Sequence, residues 1–201
     1  MTPSGTEGYA EEAGRLVERY EALSFEEKHA PVLHLLPAAP ASIGDIGAGT
    51  GADAAWLASR GHRVVAVEPT APLREAGMAL HAAQPIEWID DSLPALARLH
   101  GREAAFDAVL LTAVWMHLDA AQRRRAMPAV AALLAPGGLL LMSLRHGPVP
   151  AGRRMFDVTA QETIALAREH GLRAVFEARN ASLQPENIAA SVAWTRLAFR
   201  A

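Results

Sequence analysis

The chain has 201 residues, of which 51% are hydrophobic and 20% charged, with a formal net charge of -3. That length suits one domain with a substantial core. The balance excludes a disordered chain, and the mildly acidic charge gives no general pull toward nucleic acid. There is no cysteine, which excludes disulfides and thiolate metal sites and is compatible with a cytoplasmic location.

The stretch from Met1 to Tyr9 lacks a basic region followed by an apolar run, so no signal peptide is expected. No apolar stretch approaches the roughly 18 residues of a membrane span. Tyr9, Ala13, Leu16, Val17 and Tyr20 recur at helical spacing and predict an amphipathic helix over 9–22. Ser24 followed by Glu27 is a capping-box pattern for a second helix from Phe25, interrupted at Pro31 and ended by Pro37 and Pro40.

The pattern then changes. Ala41–Ile46 reads as a buried strand, Gly47–Gly51 as a glycine turn, and Ala52–Arg60 as a helix stopped by Gly61. His62–Val67 is a valine-rich strand, Ala71–His81 a helix weakened by Gly77, Ile86–Ile89 a short strand and Leu93–His100 a short helix. Phe106–Thr112 is a continuously apolar fourth strand. Asp119 with Gln122 opens a helix to Leu134, on which Arg123-Arg124-Arg125 reads as a solvated face. Pro136-Gly137-Gly138 reads as a sharp stop before a fifth strand, Leu139–Leu144. Thr159 with Glu162 caps a helix ending at Gly171. Two strands follow near Leu172–Ala178 and Val192–Phe199, joined by a polar loop containing Pro185 into a hairpin with the last strand antiparallel. Strands alternating with helices imply an α/β fold, a mostly parallel sheet covered on both faces.

The most informative segment is Asp45-Ile46-Gly47-Ala48-Gly49-Thr50-Gly51, between a strand and a helix. Glycines there let the backbone approach a ligand, and the helix N-terminus presents free N–H groups. Glu68 ends the second strand, where an acid commonly accepts from two ribose hydroxyls. The spacing of Gly47, Gly49 and Ala52 also satisfies the permissive dinucleotide fingerprint, so the glycines alone do not decide between cofactors. Asp45 does more. A carboxylate two residues before the first glycine suits an ammonium and would repel a pyrophosphate.

With DIGAGTG at 45–51, VVAVEP at 64–69, IDDSLP at 89–94, FDAVLLTAVWMHL at 106–118 and LAPGGLLLMSL at 134–144, the chain resembles the class I S-adenosylmethionine-dependent methyltransferase family. The resemblance implies a single domain over 1–201, with a helical cap at 1–40 and a Rossmann-like three-layer core at 41–201. It implies a seven-stranded sheet of order 3-2-1-4-5-7-6, with strand seven antiparallel. It implies S-adenosylmethionine as cofactor and S-adenosylhomocysteine as product. Asp45 would fix the methionyl amino group beside the backbone of Gly47, Ala48, Gly49 and Gly51. Glu68 would bind the ribose, with Pro69 packed on the adenine. Asp91, or Asp90 if the short third strand is shifted by one, would accept the adenine amine while the Ser92 backbone faces the ring. Thr112 and Ala113 would border the methionine moiety.

Methyl transfer needs alignment of nucleophile, methyl and sulfur, and a base only for acceptors that hold a proton. No metal-ligand pattern is present and none is required. His117 and His146 are candidate bases because they follow the fourth and fifth strands. Tyr20, Trp115 and Arg145 are candidate acceptor contacts, Arg145 for an anionic one. The segment His146–Phe156 reads as a loop over this edge. The expected activity is methylation of a small-molecule acceptor, without nucleic acid or membrane. A binding module without transfer activity and a nicotinamide-dependent oxidoreductase are the competing readings.

Overall fold

The fold comes from a computed structural model that describes residues 5–201; residues 1–4 of the Met1–Tyr9 stretch lie outside the described residues. Five parallel strands, β1 (Ser42–Ile46), β2 (Arg63–Val67), β3 (Ile86–Ile89), β4 (Phe106–Leu111) and β5 (Leu134–His146), build most of one sheet. The long β6 (Arg173–Ala181) and β7 (Ala193–Arg200) complete it, with β7 antiparallel to both β5 and β6. The order is 3-2-1-4-5-7-6.

Alternation along β5 shows why this strand is apolar throughout. Leu140, Met142 and Leu144 enter the core that also holds Met127, Val130 and Leu166, whereas Leu139 and Leu141 enter the opposite core with Ile43, Leu57 and Phe25. A central strand is covered on both faces, so both parities must be apolar. Each fully buried leucine contributes about 1.5–3 kcal/mol.

The helices are α1 (Ala13–Glu21), α2 (Phe25–His29), α3 (Ala52–Ser59), α4 (Ala71–Leu80), α5 (Ala120–Leu133), α6 (Ala160–Glu169) and α7 (Pro185–Ala189). The predicted first helix begins at Ala13 rather than residue 9, and Tyr9 sits in a turn before it. The capping patterns locate α2 and α5. Ser24 accepts from the Glu27 N–H, and Asp119 and Gln122 cap each other reciprocally at 2.8 and 2.9 Å. Thr159 caps α6, but the Glu162 carboxylate turns to Arg123 instead of closing the box. Arg123 is therefore buried against Glu162 and the Leu118 carbonyl, and only Arg124 and Arg125 form the expected solvated face.

Three sequence readings are corrected. Leu93–His100 is not a helix. Only Ala97–Leu99 makes a 3-10 turn, after a backbone that reverses at Leu96 with φ of 46°. Pro136-Gly137-Gly138 does not separate helix from strand, because β5 starts at Leu134 and these residues bulge where its register with β4 shifts. β6 and β7 are joined through α7, not by a simple polar loop.

Gly77, which weakens α4 as a sequence, has a packing reason. A Cβ there would stand 2.3 Å from the Thr50 carbonyl oxygen, so glycine lets α4 lie against the glycine turn.

Candidate active site

A cavity of about 480 Å³ opens at the C-terminal ends of β1, β2, β4 and β5, beneath α1. Ligands of open parallel sheets bind at this edge, and the size is ordinary for a small-molecule site.

Its floor is the turn after β1. The N–H groups of Gly47 and Ala48 donate to the Val67 carbonyl at 2.7 and 3.0 Å. Gly47 has φ of +75°, and a Cβ on it would strike Val114 at 2.5 Å, so both conformation and space require glycine. Gly49 N–H donates to Glu68 Oε2 at 2.8 Å, and Thr70 N–H to Oε1 at 2.7 Å. Glu68 thus holds the glycine turn as well as facing the cavity, and burial raises its pKa.

Asp45 is 1% exposed, lines the cavity and has Oδ2 with no hydrogen-bond partner. Burial, with the nearby Asp53 charge, pushes its carboxyl up to about 8. Asp53, at the start of α3, has the opposite fate. Burial alone would raise it, but Lys28 Nζ at 2.5 Å and His29 Nε2 at 2.8 Å hold it below the usual carboxylate range. An orphaned buried carboxylate oxygen is costly unless a donor arrives. An ammonium is such a donor, so the site fits the amino-acid end of S-adenosylmethionine.

Asp91 and Ser92 line the cavity, whereas Asp90 is exposed and pairs with Arg74 at 3.2 Å. Asp91 caps the backbone of its own loop, accepting from Ser92 and Arg98 N–H at 2.8 and 2.7 Å. Pro69, Thr112 and Ala113 also line the cavity, and Ser143 on β5 fixes Ala113 N–H at 2.8 Å. Tyr20 packs on Gly49, where a Cβ would be 3.4 Å from its ring, and Glu21 accepts from Thr50. Tyr20 therefore covers the cofactor turn rather than reaching away from it.

Beyond Thr112 the cavity continues past Tyr9, His117, Arg145 and Arg153. His117 Nδ1 lies 2.8 Å from the Arg154 carbonyl oxygen, so that nitrogen carries the proton. Nε2 then accepts from the Tyr9 hydroxyl at 3.0 Å. Burial lowers the His117 pKa, and the neighbouring Arg153 opposes a second proton. Burial likewise raises the Tyr9 phenol.

Two candidates lie elsewhere. His146 is one residue along β5 from Arg145, so strand alternation turns it away; it bonds Thr195 at 2.8 Å and does not line the cavity. Trp115 is wholly buried in the core beside α5 and is no acceptor contact. Lys28, Asp53, Arg19 and Arg153 line the cavity without having been singled out in the sequence. Asp53 carried a faint signal, an acid in the first turn of the helix after the glycines. Among the described residues no group of His, Asp or Glu is placed to hold a metal, and no helix is long and apolar enough to cross a membrane.

The family described as the methyltransferase domain matches residues 44–142. That match, together with the sheet order, supports a class I S-adenosylmethionine-dependent methyltransferase. A Mycobacterium tuberculosis protein named an uncharacterized methyltransferase is 38% identical over 114 residues, covering 53% of this chain and 40% of its own. The chain thus spans less than half of that relative's length. Among solved structures of this methyltransferase fold, the Burkholderia thailandensis 1,6-didemethyltoxoflavin-N1-methyltransferase, with 1,6-didemethyltoxoflavin and S-adenosylhomocysteine bound, superposes with a TM-score of 0.72 at 25% identity. It covers 93% of this chain and 81% of that one. The N-methyltransferase NodS of Bradyrhizobium japonicum, in complex with S-adenosylhomocysteine, shares the fold with a TM-score of 0.66 at 21% identity, covering 94% of this chain and 97% of that one.

Proposed function

We propose that this methyltransferase transfers the methyl group of S-adenosylmethionine to a small-molecule acceptor that enters between α1 and the end of β5. The observation that carries the reading is the shape of one cavity. It runs without a break from the orphaned Asp45 carboxylate to the Tyr9–His117 pair. A nicotinamide dinucleotide would bring a pyrophosphate to the glycine turn beside the Asp45 carboxylate, where like charges repel.

When bound, the cofactor supplies an activated methyl whose bonding electron pair leaves with sulfur. The chain's own residues bind and orient. Asp45 takes the amino group, Glu68 and the glycine turn take the ribose, and the Asp91 loop takes the adenine. Tyr20 and Glu21 of α1 cover the glycine turn and exclude water. His117, neutral and fixed by the Arg154 carbonyl, holds the Tyr9 hydroxyl. An acceptor proton passed to the Tyr9 oxygen would be matched by the Tyr9 proton moving to Nε2, which favours an amine or hydroxyl acceptor. The Burkholderia enzyme, crystallised with a named small acceptor and S-adenosylhomocysteine together, supports an acceptor of that scale.

The test is S-adenosylhomocysteine release from purified protein and S-adenosylmethionine, with and without a fractionated metabolite extract. Release that depends on a low-mass fraction supports the reading. Binding of the cofactor with no fraction raising release favours a binding module without transfer.

A further inference from the structure

Charge is divided unevenly along the cavity. The acids Asp45, Asp53, Glu68 and Asp91 lie toward the glycine turn and the adenine loop, with Lys28 paired to Asp53, whereas Arg145 and Arg153 lie near Tyr9 and His117, Arg19 lies near Arg145, and Glu12 pairs with Arg153. In a chain with a net charge of -3, that half of the cavity holds three guanidiniums against one lining carboxylate, Glu12.

The three guanidiniums are not equally satisfied. Arg153, whose side chain is 5% exposed, pairs with Glu12 at 3.2 Å, donates to the Glu7 carbonyl and stacks 4.0 Å over the Tyr9 ring. Its charge is accounted for. Arg19 donates to Gln184 and meets Glu186 at 3.5 Å, but that carboxylate is 74% exposed and holds it weakly. Arg145 has no carboxylate partner among the described residues. It donates from Nη1 to the Pro148 and Gly147 carbonyl oxygens, its Nε and Nη2 have no hydrogen-bond partner among the described residues, and the residue lines the cavity. Partial burial and the like charge of Arg19 both disfavour its ionised form. A cation left beside another cation in a partly buried pocket is costly, and an oxyanion relieves that cost.

We propose that the acceptor carries an oxyanion group, a carboxylate or a phosphate, which Arg145 binds through its free donors with Arg19 as second cation. This rests on the methyl-transfer reading and names its substrate class. Arg145 sits on β5 two residues beyond Ser143 and so on the same face, and Ser143 fixes the Ala113 N–H just after β4, so an anion held there would be anchored on the rigid sheet edge near the Tyr9–His117 pair. The anion would anchor one end of the acceptor and leave its nucleophile facing the methyl group.

The experiment uses calorimetry on the full chain already saturated with S-adenosylhomocysteine. Inorganic phosphate, benzoate and uncharged benzamide are titrated separately into wild type, Arg145→Gln, Arg145→Lys and Arg19→Gln. At least one anion is expected to bind wild type tenfold or more tightly than benzamide. Whichever of phosphate and benzoate binds better identifies the oxyanion. Arg145→Gln should weaken that anion about tenfold, Arg145→Lys less, and Arg19→Gln less than Arg145→Gln. Equal binding of benzoate and benzamide with no binding of phosphate, or an Arg145→Gln protein with unchanged anion affinity, would overturn the proposal. So would loss of S-adenosylhomocysteine affinity in Arg145→Gln, which would assign the guanidinium to the cofactor's own carboxylate. Failure of wild type to bind S-adenosylhomocysteine at all would instead sink the underlying transfer reading.

Discussion

The Tyr9 hydroxyl and His117 Nε2 lie 3.0 Å apart, joining the turn before α1 to the loop after β4 across 108 positions. The pair closes the acceptor half of the cavity. In the proposed reaction it also gives the N-terminal segment a chemical role beyond covering the cofactor.

If that pair handles the acceptor's proton, Tyr9→Phe and His117→Gln should each lower kcat by about a hundredfold or more. S-adenosylhomocysteine affinity should fall much less than kcat, because the hydrogen bond lost is the one between Tyr9 and His117 and neither residue bonds the glycine turn. His117 is neutral in the folded protein and its pKa is lowered from 6.5. The acid limb of kcat should therefore fall below the ordinary histidine value, since activity is lost only once Nε2 takes a proton. A stopped pH series on wild type checks this; an acid limb above 6.5 would contradict it.

Asp45 binds its proton too tightly for an ordinary carboxylate, up to about 8, through burial and the Asp53 charge. Receiving an ammonium requires the ionised form, so binding releases a proton below that pH. Cofactor affinity should rise as pH is raised from 6 toward 8 and then level off. Asp45→Asn should remove that slope and cost about 1–3 kcal/mol of binding. The linkage has a second consequence for the free protein. The folded state holds more protons than the unfolded state between 3.8 and about 8, so the Asp45 contribution to stability declines as pH rises through that window. Urea titrations at pH 5 and 8 on wild type and Asp45→Asn measure the difference.

Gly77→Ala places a methyl 2.3 Å from the Thr50 carbonyl oxygen. Neither α4 nor the glycine turn can yield without moving the other. The substitution should destabilise the protein by about 1–3 kcal/mol despite alanine's better helix propensity. Denaturant midpoints decide it, and a stabilised variant would contradict the packing argument.

Trp115 is a core residue whose indole N–H has no partner. Trp115→Ala should cost about 3–5 kcal/mol. Trp115→Phe should cost much less, since it removes the orphaned donor and keeps most of the ring. Both variants, when folded, should bind S-adenosylhomocysteine as wild type does.

Much of this was legible in the chain. The apolar strands, the glycine turn, the acid after β2 and the capping patterns are local signals, and each is read from neighbouring residues. Asp91 over Asp90 needed the end of β3, which a four-residue strand does not fix; Arg74 draws Asp90 outward. His146 was misplaced because its facing depends on strand parity near the end of β5. Trp115 was misplaced because a large aromatic after a strand looks alike whether it turns to the cavity or the core. Arg153 and Lys28 were invisible for another reason. Their partners, Glu12 and Asp53, are distant in sequence, and no local pattern announces a long-range ion pair. The failed helix at Leu93–His100 follows from Asp91, whose carboxylate claims the Ser92 and Arg98 N–H groups for a loop.

What the orphaned Asp45 carboxylate receives decides which cofactor the cavity takes. Calorimetry of S-adenosylhomocysteine and NAD against wild type and Asp45→Asn tests this directly. S-adenosylhomocysteine should bind wild type with NAD undetectable, and the Asn variant should lose affinity. Tighter binding of NAD, or an Asn variant indistinguishable from wild type, would contradict it.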